Sequence, residues 1–145
     1  MTEKENLLSF EIKTLVNLVK REVGASERGR TVANATGNNA FIIGYLAHHE
    51  GEDVFQRDLE EKFSVRRSTM SNTIMLMEQK GFLTRTPVSY DARLKKLTLT
   101  EDGWRIHHTL ESAIRDAEAK LTGGLTEEEK ETLFALLEKM RSNFD

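Results

Sequence analysis

The sequence predicts a mainly α-helical chain in which a single β-hairpin interrupts a series of helices. Three observations carry this. Apolar residues recur at three- and four-residue spacing through most of the 145 residues, the period of helices with one buried face. Between Phe82 and Thr100 that spacing gives way to alternation, in FLTRTP and KKLTLT, the period of a half-buried strand. The only proline is Pro87, so helix ends must be read from glycines and polar caps.

The elements follow in order. A first helix is expected from about Glu5 to Glu22, with Phe10, Ile12, Leu15, Val16, Leu18 and Val19 as its stripe. GASERGRTVANATG, rich in small and polar residues, reads as a loop. Thr36 then caps a second helix whose apolar face is Phe41, Ile42, Tyr45 and Leu46, ending near His48-His49-Glu50-Gly51. FQRDLEEKF is a short helix buried through Phe55, Leu59 and Phe63. VRRSTMSNTIMLMEQKG is the next helix, with Met70, Ile74 and Met77 inward and Gly81 closing it. The hairpin has VSYDARL as a long tip. Thr100 caps a long helix with Ile106, Leu110, Ala113, Ile114, Ala117 and Leu121 on one face, stopped by Gly123-Gly124. Thr126 and Glu129 form a capping box for a last helix striped by Leu133, Leu136, Leu137, Met140 and Phe144.

Composition excludes several functions. The chain has no cysteine, which removes disulfides, thiolate metal sites and thiol redox sensing. No apolar run approaches the ~20 residues of a spanning helix. The start, MTEKENLLSFEIK, is charged and lacks the apolar core of a secretion signal, so a cytoplasmic protein with no membrane partner is expected. The net charge of −3 hides an uneven distribution. Lys62 to Lys96 holds eight basic and two acidic residues, a balance of +6 against −9 for the rest. A basic middle in an acidic body is the footprint that phosphate binding needs.

Two helices joined by a short turn, the second with a polar face, make a helix-turn-helix, and the hairpin directly after it is a wing. The polar face is unusual for a surface that only has to be soluble, where Glu, Lys and Gln serve a helix better. Arg66, Arg67, Ser68, Thr69, Ser71, Asn72 and Thr73 instead match the chemistry of base and phosphate contact. Arginine reads guanine with two hydrogen bonds, asparagine fits adenine, and Ser and Thr serve either bases or phosphates. On the wing, Arg93, Lys95 and Lys96 can reach the minor groove and its phosphates. A lone Asp91 in so basic a tip is expected to brace Arg93 or accept turn amides.

From about Thr36 to Gly103 the sequence resembles the MarR family of bacterial transcriptional regulators. The residues that carry the resemblance are Gln56 and Leu59, then Arg67-Ser68-Thr69-Met70-Ser71, then Glu78-Gln79-Lys80-Gly81-Phe82-Leu83-Thr84-Arg85. Asp91-x-Arg93 followed by Leu97-Thr98-Leu99-Thr100-x-x-Gly103 is the most specific part. Three positions depart from the family pattern. Glu60 stands where Ala is frequent, Arg66 where Ser or Thr caps the helix, and Ala92 where a second arginine is common; Ser64 is then the alternative cap. The resemblance implies a winged helix-turn-helix homodimer with long terminal dimerisation helices. Residues 1–35 and 100–145 would dimerise, and 36–99 would bind DNA. Such a dimer binds a pseudo-palindromic double-stranded operator, usually as a repressor released by a small phenolic or aromatic anion.

Rival readings are weaker. Gly24-Ala25-Ser26-Glu27-Arg28-Gly29 lacks the lysine of a phosphate-binding loop, and no nucleophile motif appears, so no enzyme and no cofactor are expected. The histidines come as His48-His49 and His107-His108, and His107 shares a helix face with Glu111. A metal-responsive regulator using His107, His108 and Glu111 is therefore one alternative. It is disfavoured because adjacent histidines diverge on a helix, so no metal is expected. The other alternative, a winged helix that only binds proteins, does not account for the positive face.

Overall fold

The computed structural model describes residues 7–36 and 39–145. These form α1 (Leu8–Gly24), α2 (Glu27–Thr36), α3 (Ala40–His48), α4 (Gln56–Phe63), α5 (Arg67–Gln79), β1 (Leu83–Val88), β2 (Asp91–Leu99), α6 (Glu101–Thr122) and α7 (Glu127–Ser142). The architecture is mainly helical with one antiparallel hairpin, as the periodicity predicts. No helix among the described residues is long and apolar enough to cross a membrane. The expected start of the first helix, near Glu5, lies outside the described residues.

The core sits under α5 and the hairpin. Ile42, Ile43 and Leu46 from α3, Leu59 from α4, Met70, Ile74 and Met77 from α5, and Leu83, Leu97 and Leu99 from the hairpin form one buried cluster. The α5 stripe is buried as read, and so is Leu59. The α3 face is rotated from the expected one: Ile43 is buried while Phe41 remains 41% exposed. Burial of these aliphatic side chains, at roughly 1.5–3 kcal/mol each, fixes the angle at which α5 leaves the body.

Two expectations fail before α3. GASERGRTVANATG is not a loop, because Glu27–Thr36 is helical. Its small residues are there for close packing: a Cβ on Gly29 would lie 2.1 Å from the Val23 carbonyl oxygen, and Val32 is buried. Thr36 does not cap α3. It ends α2, buried, with its hydroxyl donating to the Val32 carbonyl at 2.8 Å, and Asn39 precedes α3 instead.

The junction of α5, hairpin and α6 is built as read. Gly81, at φ +82°, gives its N–H to the Glu78 carbonyl while Phe82 donates to Met77, both at 3.0 Å, which is the Schellman closure. Thr100 accepts from the Gly103 N–H at 3.1 Å and donates to the Gly81 carbonyl at 2.5 Å, so one hydroxyl caps α6 and ties it to the end of α5. Gly103 leaves no room for a side chain: a Cβ there would lie 2.2 Å from the Phe82 carbonyl oxygen and 3.0 Å from Leu99 Cδ2. Gly103→Ala should therefore cost at least ~1–3 kcal/mol, the usual penalty for overpacking. Gly44→Ala, inside α3 with nothing within 4 Å, should be neutral or stabilise by ~0.4–1 kcal/mol. Urea melts of the two variants check this; equal midpoints would contradict it.

The wing differs from its expected form. Strand β2 begins at Asp91, so the turn is only Ser89 and Tyr90 rather than the long tip VSYDARL. The extra length appears as a bulge: Val88 pairs with Asp91 but Pro87 pairs with Lys95, which pushes Ala92, Arg93 and Leu94 out of the ladder. Proline supplies no N–H to hold the regular register at that point.

Candidate nucleic-acid interface

Helix α5 presents the face its sequence promised. Arg66, Arg67, Ser68, Thr69, Ser71 and Asn72 are exposed, opposite Met70, Ile74 and Met77. Thr73 is half-buried, and its hydroxyl donates back to the Thr69 carbonyl at 2.9 Å, which leaves it the least available of the set. Ser64 does not cap α5. It ends α4 in the left-handed region at φ 52°, and Arg66 stands at the N-cap position with no side-chain cap bond. The first turn of α5 thus starts without a side-chain cap, beside two exposed arginines.

Helix α4 positions this surface. Gln56 Nε2 donates to Ser71 Oγ at 3.2 Å and approaches the Arg67 carbonyl at 3.5 Å, pinning the start of α4 to the first two turns of α5. Ser71 accepts that bond and keeps its own hydroxyl proton free for a contact outward.

On the wing, Asp91 holds Arg93 in two ways. Its Oδ1 accepts from the Arg93 backbone N–H at 2.9 Å and from Nε at 3.2 Å, while Oδ2 meets Nη2 at 3.3 Å. The arginine hydrogen bonds hold the Asp91 carboxyl below its usual range. The Arg93 side chain is nonetheless 90% exposed, at the centre of the bulge.

A groove of about 450 Å³ runs between α5 and the wing. Arg57, Arg67, Arg85, Arg93 and Lys95 line it, with Gln56 and Ser71 on the same walls. Arg85 is already engaged: Nη2 and Nε meet the two Glu78 carboxylate oxygens at 3.0 and 3.3 Å. That double hydrogen bond lowers the Glu78 carboxyl and raises the Arg85 guanidinium from their ordinary values. Arg57 is exposed and is not among the expected site residues, since it lies before the basic segment from Lys62 to Lys96. Its position next to Gln56 was the available signal.

The two wing lysines part company. Lys95 lines the groove, whereas Lys96 lies on the other side of the hairpin, 3.8 Å from Asp53 Oδ1. Tyr90 Oη donates to Asp53 Oδ2 at 3.1 Å. Partial desolvation of its hydroxyl and this bond raise the Tyr90 phenol, although the residue as a whole is 64% exposed. Asp53, unnoticed in the sequence, therefore anchors the wing tip and the second lysine to the loop before α4, and the Leu97 N–H donates to the neighbouring Val54 carbonyl at 2.7 Å.

The histidines lie away from this groove. His48, at the end of α3, meets His107 of α6 with ring centres 5.8 Å apart. His107 lies near Trp104, and burial lowers its imidazole below the ordinary value. His108 Nδ1 is 3.8 Å from Glu111.

A model of the MarR family matches residues 35–94, the helix-turn-helix and the first part of the wing. YybA of Bacillus subtilis, an HTH-type transcriptional regulator, is 32% identical over 97 residues, which cover 67% of this chain. The match spans 65% of that relative's length. The crystal structure of the transcription regulator MarR from Oenococcus oeni is 28% identical with a TM-score of 0.80, over 94% of this chain and 99% of that one. A MepR–DNA complex from S. aureus is 25% identical with a TM-score of 0.74, over 94% and 98% of the two chains. Two of these relatives are named as transcriptional regulators, in line with the expectation that the chain is not an enzyme.

Proposed function

We propose that this chain, which belongs to the MarR family, is a cytoplasmic, sequence-specific regulator that binds double-stranded DNA as a homodimer. The observation that carries the reading is the groove in which the polar face of α5 meets Arg93 and Lys95 of the wing. Helix α5 enters the major groove with Arg66, Arg67, Ser68, Ser71 and Asn72 toward base edges and nearby phosphates. Arg93 reaches the adjacent minor groove, whose negative potential attracts guanidinium. The MepR relative, which has been seen bound to DNA, supports the same docking here. Residues 36–99 form the reading head, and the helices on either side hold two heads on a pseudo-palindromic operator.

Repression relieved by a small aromatic or phenolic anion completes the reading. A cavity of about 540 Å³ lies between α2, α6 and Phe82, with Val32, Phe82 and Ile106 as apolar walls, Arg28 and Arg105 as cations and Glu27 and Asp102 as anions. Arg105 is paired with Asp102, which leaves Arg28 as the cation for an anionic ligand. Its position between terminal helices and head suits a ligand that alters head spacing. Mobility shift on DNA upstream of the chain's own gene, at two salt concentrations and with or without a hydroxybenzoate, tests the whole. A salt-sensitive shift abolished by the anion is expected; no shift at low salt on that DNA or on random duplex would end the DNA-binding reading.

Asp91 gives a test whose sign is informative. Asp91→Ala removes a negative charge from a phosphate-facing wing, so charge alone predicts tighter binding. Because Asp91 fixes both the backbone and the guanidinium of Arg93, the variant should instead bind operator several-fold more weakly. Titration by fluorescence anisotropy reads the direction, and tighter binding would show that bracing is not its role.

A further inference from the structure

We propose that His48, His107, His108 and Glu111 form a divalent transition-metal site that joins α3 to α6. One ligand atom from each of His107, His108 and Glu111 lies within 4.8 Å of the others, so the divergence expected of adjacent histidines does not hold here. His48 approaches from the other helix, and its ring centre is 5.8 Å from that of His107, which is in turn 5.5 Å from that of His108.

A tetrahedral ion with bonds of ~2.0–2.1 Å sets its donor atoms about 3.3 Å apart and shared imidazole centres about 5 Å apart. The atoms of His107, His108 and Glu111 span up to 4.8 Å, and His48 stands outside that trio with its ring centre 5.8 Å from that of His107, so the proposed site requires the four side chains to turn inward on the ion.

Two details point to a ligand rather than to a chance cluster. His107 Nδ1 is buried and has no hydrogen-bond partner, an arrangement that is unfavourable unless something occupies that lone pair or proton. His48 Nδ1 lies 2.7 Å from the Gly44 carbonyl. A carbonyl only accepts, so Nδ1 carries the proton and Nε2 is left as a free donor to metal, oriented as metal-binding imidazoles are. An imidazole-rich set with one carboxylate and no thiolate suits Zn²⁺, Ni²⁺ or Cu²⁺ over Mg²⁺ or Ca²⁺.

The site has a regulatory place in the fold. Helix α3 contributes Ile42, Ile43 and Leu46 to the core under α5, and α6 runs from that core to the C-terminal helix. An ion shared by the two would stiffen the joint between reading head and terminal helices. This consequence rests on the DNA-binding reading; metal binding itself does not.

The test uses tag-free, chelator-treated full-length chain titrated with Zn²⁺ and Co²⁺, followed by native mass spectrometry and visible absorption. One ion per chain with the intense bands of tetrahedral cobalt is expected. His107→Ala and His48→Ala, each checked for an unchanged far-ultraviolet spectrum, should weaken binding at least ~10-fold, and Glu111→Gln serves should either fail to fold. His49→Ala is the control, since that ring stacks on Tyr45 at 4.0 Å and should leave affinity unchanged. Absence of stoichiometric binding, or wild-type affinity in His107→Ala or in Glu111→Gln, overturns the site. Zn²⁺ should also change operator affinity in the wild type and not in His107→Ala. If metal binds but operator affinity does not move, the regulatory consequence falls and the site stands; if no variant binds DNA at all, it is the DNA-binding reading that fails.

Discussion

Leu133→Glu with Leu136→Glu should convert a dimer of twice the 16.6 kDa chain mass into a monomer and lower operator affinity by about 10²-fold or more, the scale of gain that linking two binding modules provides. Neither α1 nor α7 buries a single residue within its own chain. Leu15 and Leu18 are each 48% exposed, Leu136 50% and Phe134 69%. Monomeric proteins rarely leave apolar stripes of that kind in water, and an isolated 16-residue helix is itself marginal. Helix α7 packs broadly against no other described element of its chain, so an external partner is expected for it. A second copy, related by a two-fold axis, would place the same stripes against each other and is expected to set two α5 helices about 34 Å apart for successive major grooves. Because α7 lies outside the core, the substitutions should leave the head folded, which a retained thermal transition would show. Light scattering at micromolar concentration reads the mass. A wild-type monomer, or a double variant that stays dimeric, would defeat the expectation.

What the sequence disclosed, and what it hid, follows physical lines. Local rules were legible: the 3.6-residue period put Met70, Ile74 and Met77 inward, Thr100 and Thr126 were caps, and Gly81 closed α5. Each depends on residues within one or two turns of each other. What failed depended on contacts made at a distance. The small polar residues of α2 look like a loop until α1 and α6 pack against Gly29 and Val32. The wing's long tip became a bulge because Pro87 breaks the register on one strand while Asp91 organises the other. The period of two already separates Lys95 from Lys96. Only the fold, however, shows that Asp53 waits on one side and the basic groove lies on the other. His48 and His107 are 59 positions apart in sequence, and nothing local brings them together.

The division between reading and gripping now carries a sharper expectation than the sequence allowed. Asn72 stands on the exposed face of α5 and should meet a base edge. Asn72→Ala should cost the operator ~1–3 kcal/mol and relax specificity at one position, with little effect on random duplex. Lys95 lines the groove, so Lys95→Ala should weaken operator and random DNA alike and lower the salt slope by about one unit, as loss of one phosphate contact does. From sequence, Lys96 was expected to behave in the same way. Its neighbour Asp53, 3.8 Å away, already offsets part of its charge and holds it off the groove, so Lys96→Ala should change the slope less than Lys95→Ala. Arg93→Ala should fall between base and phosphate behaviour, since an arginine in the minor groove senses width as well as charge. Affinities of the four variants for operator and random duplex, each at several salt concentrations, separate these outcomes. Equal specificity ratios for Asn72→Ala and Lys95→Ala would remove the division of labour. A full-unit slope change for Lys96→Ala would mean that on DNA the lysine leaves Asp53 and turns to phosphate.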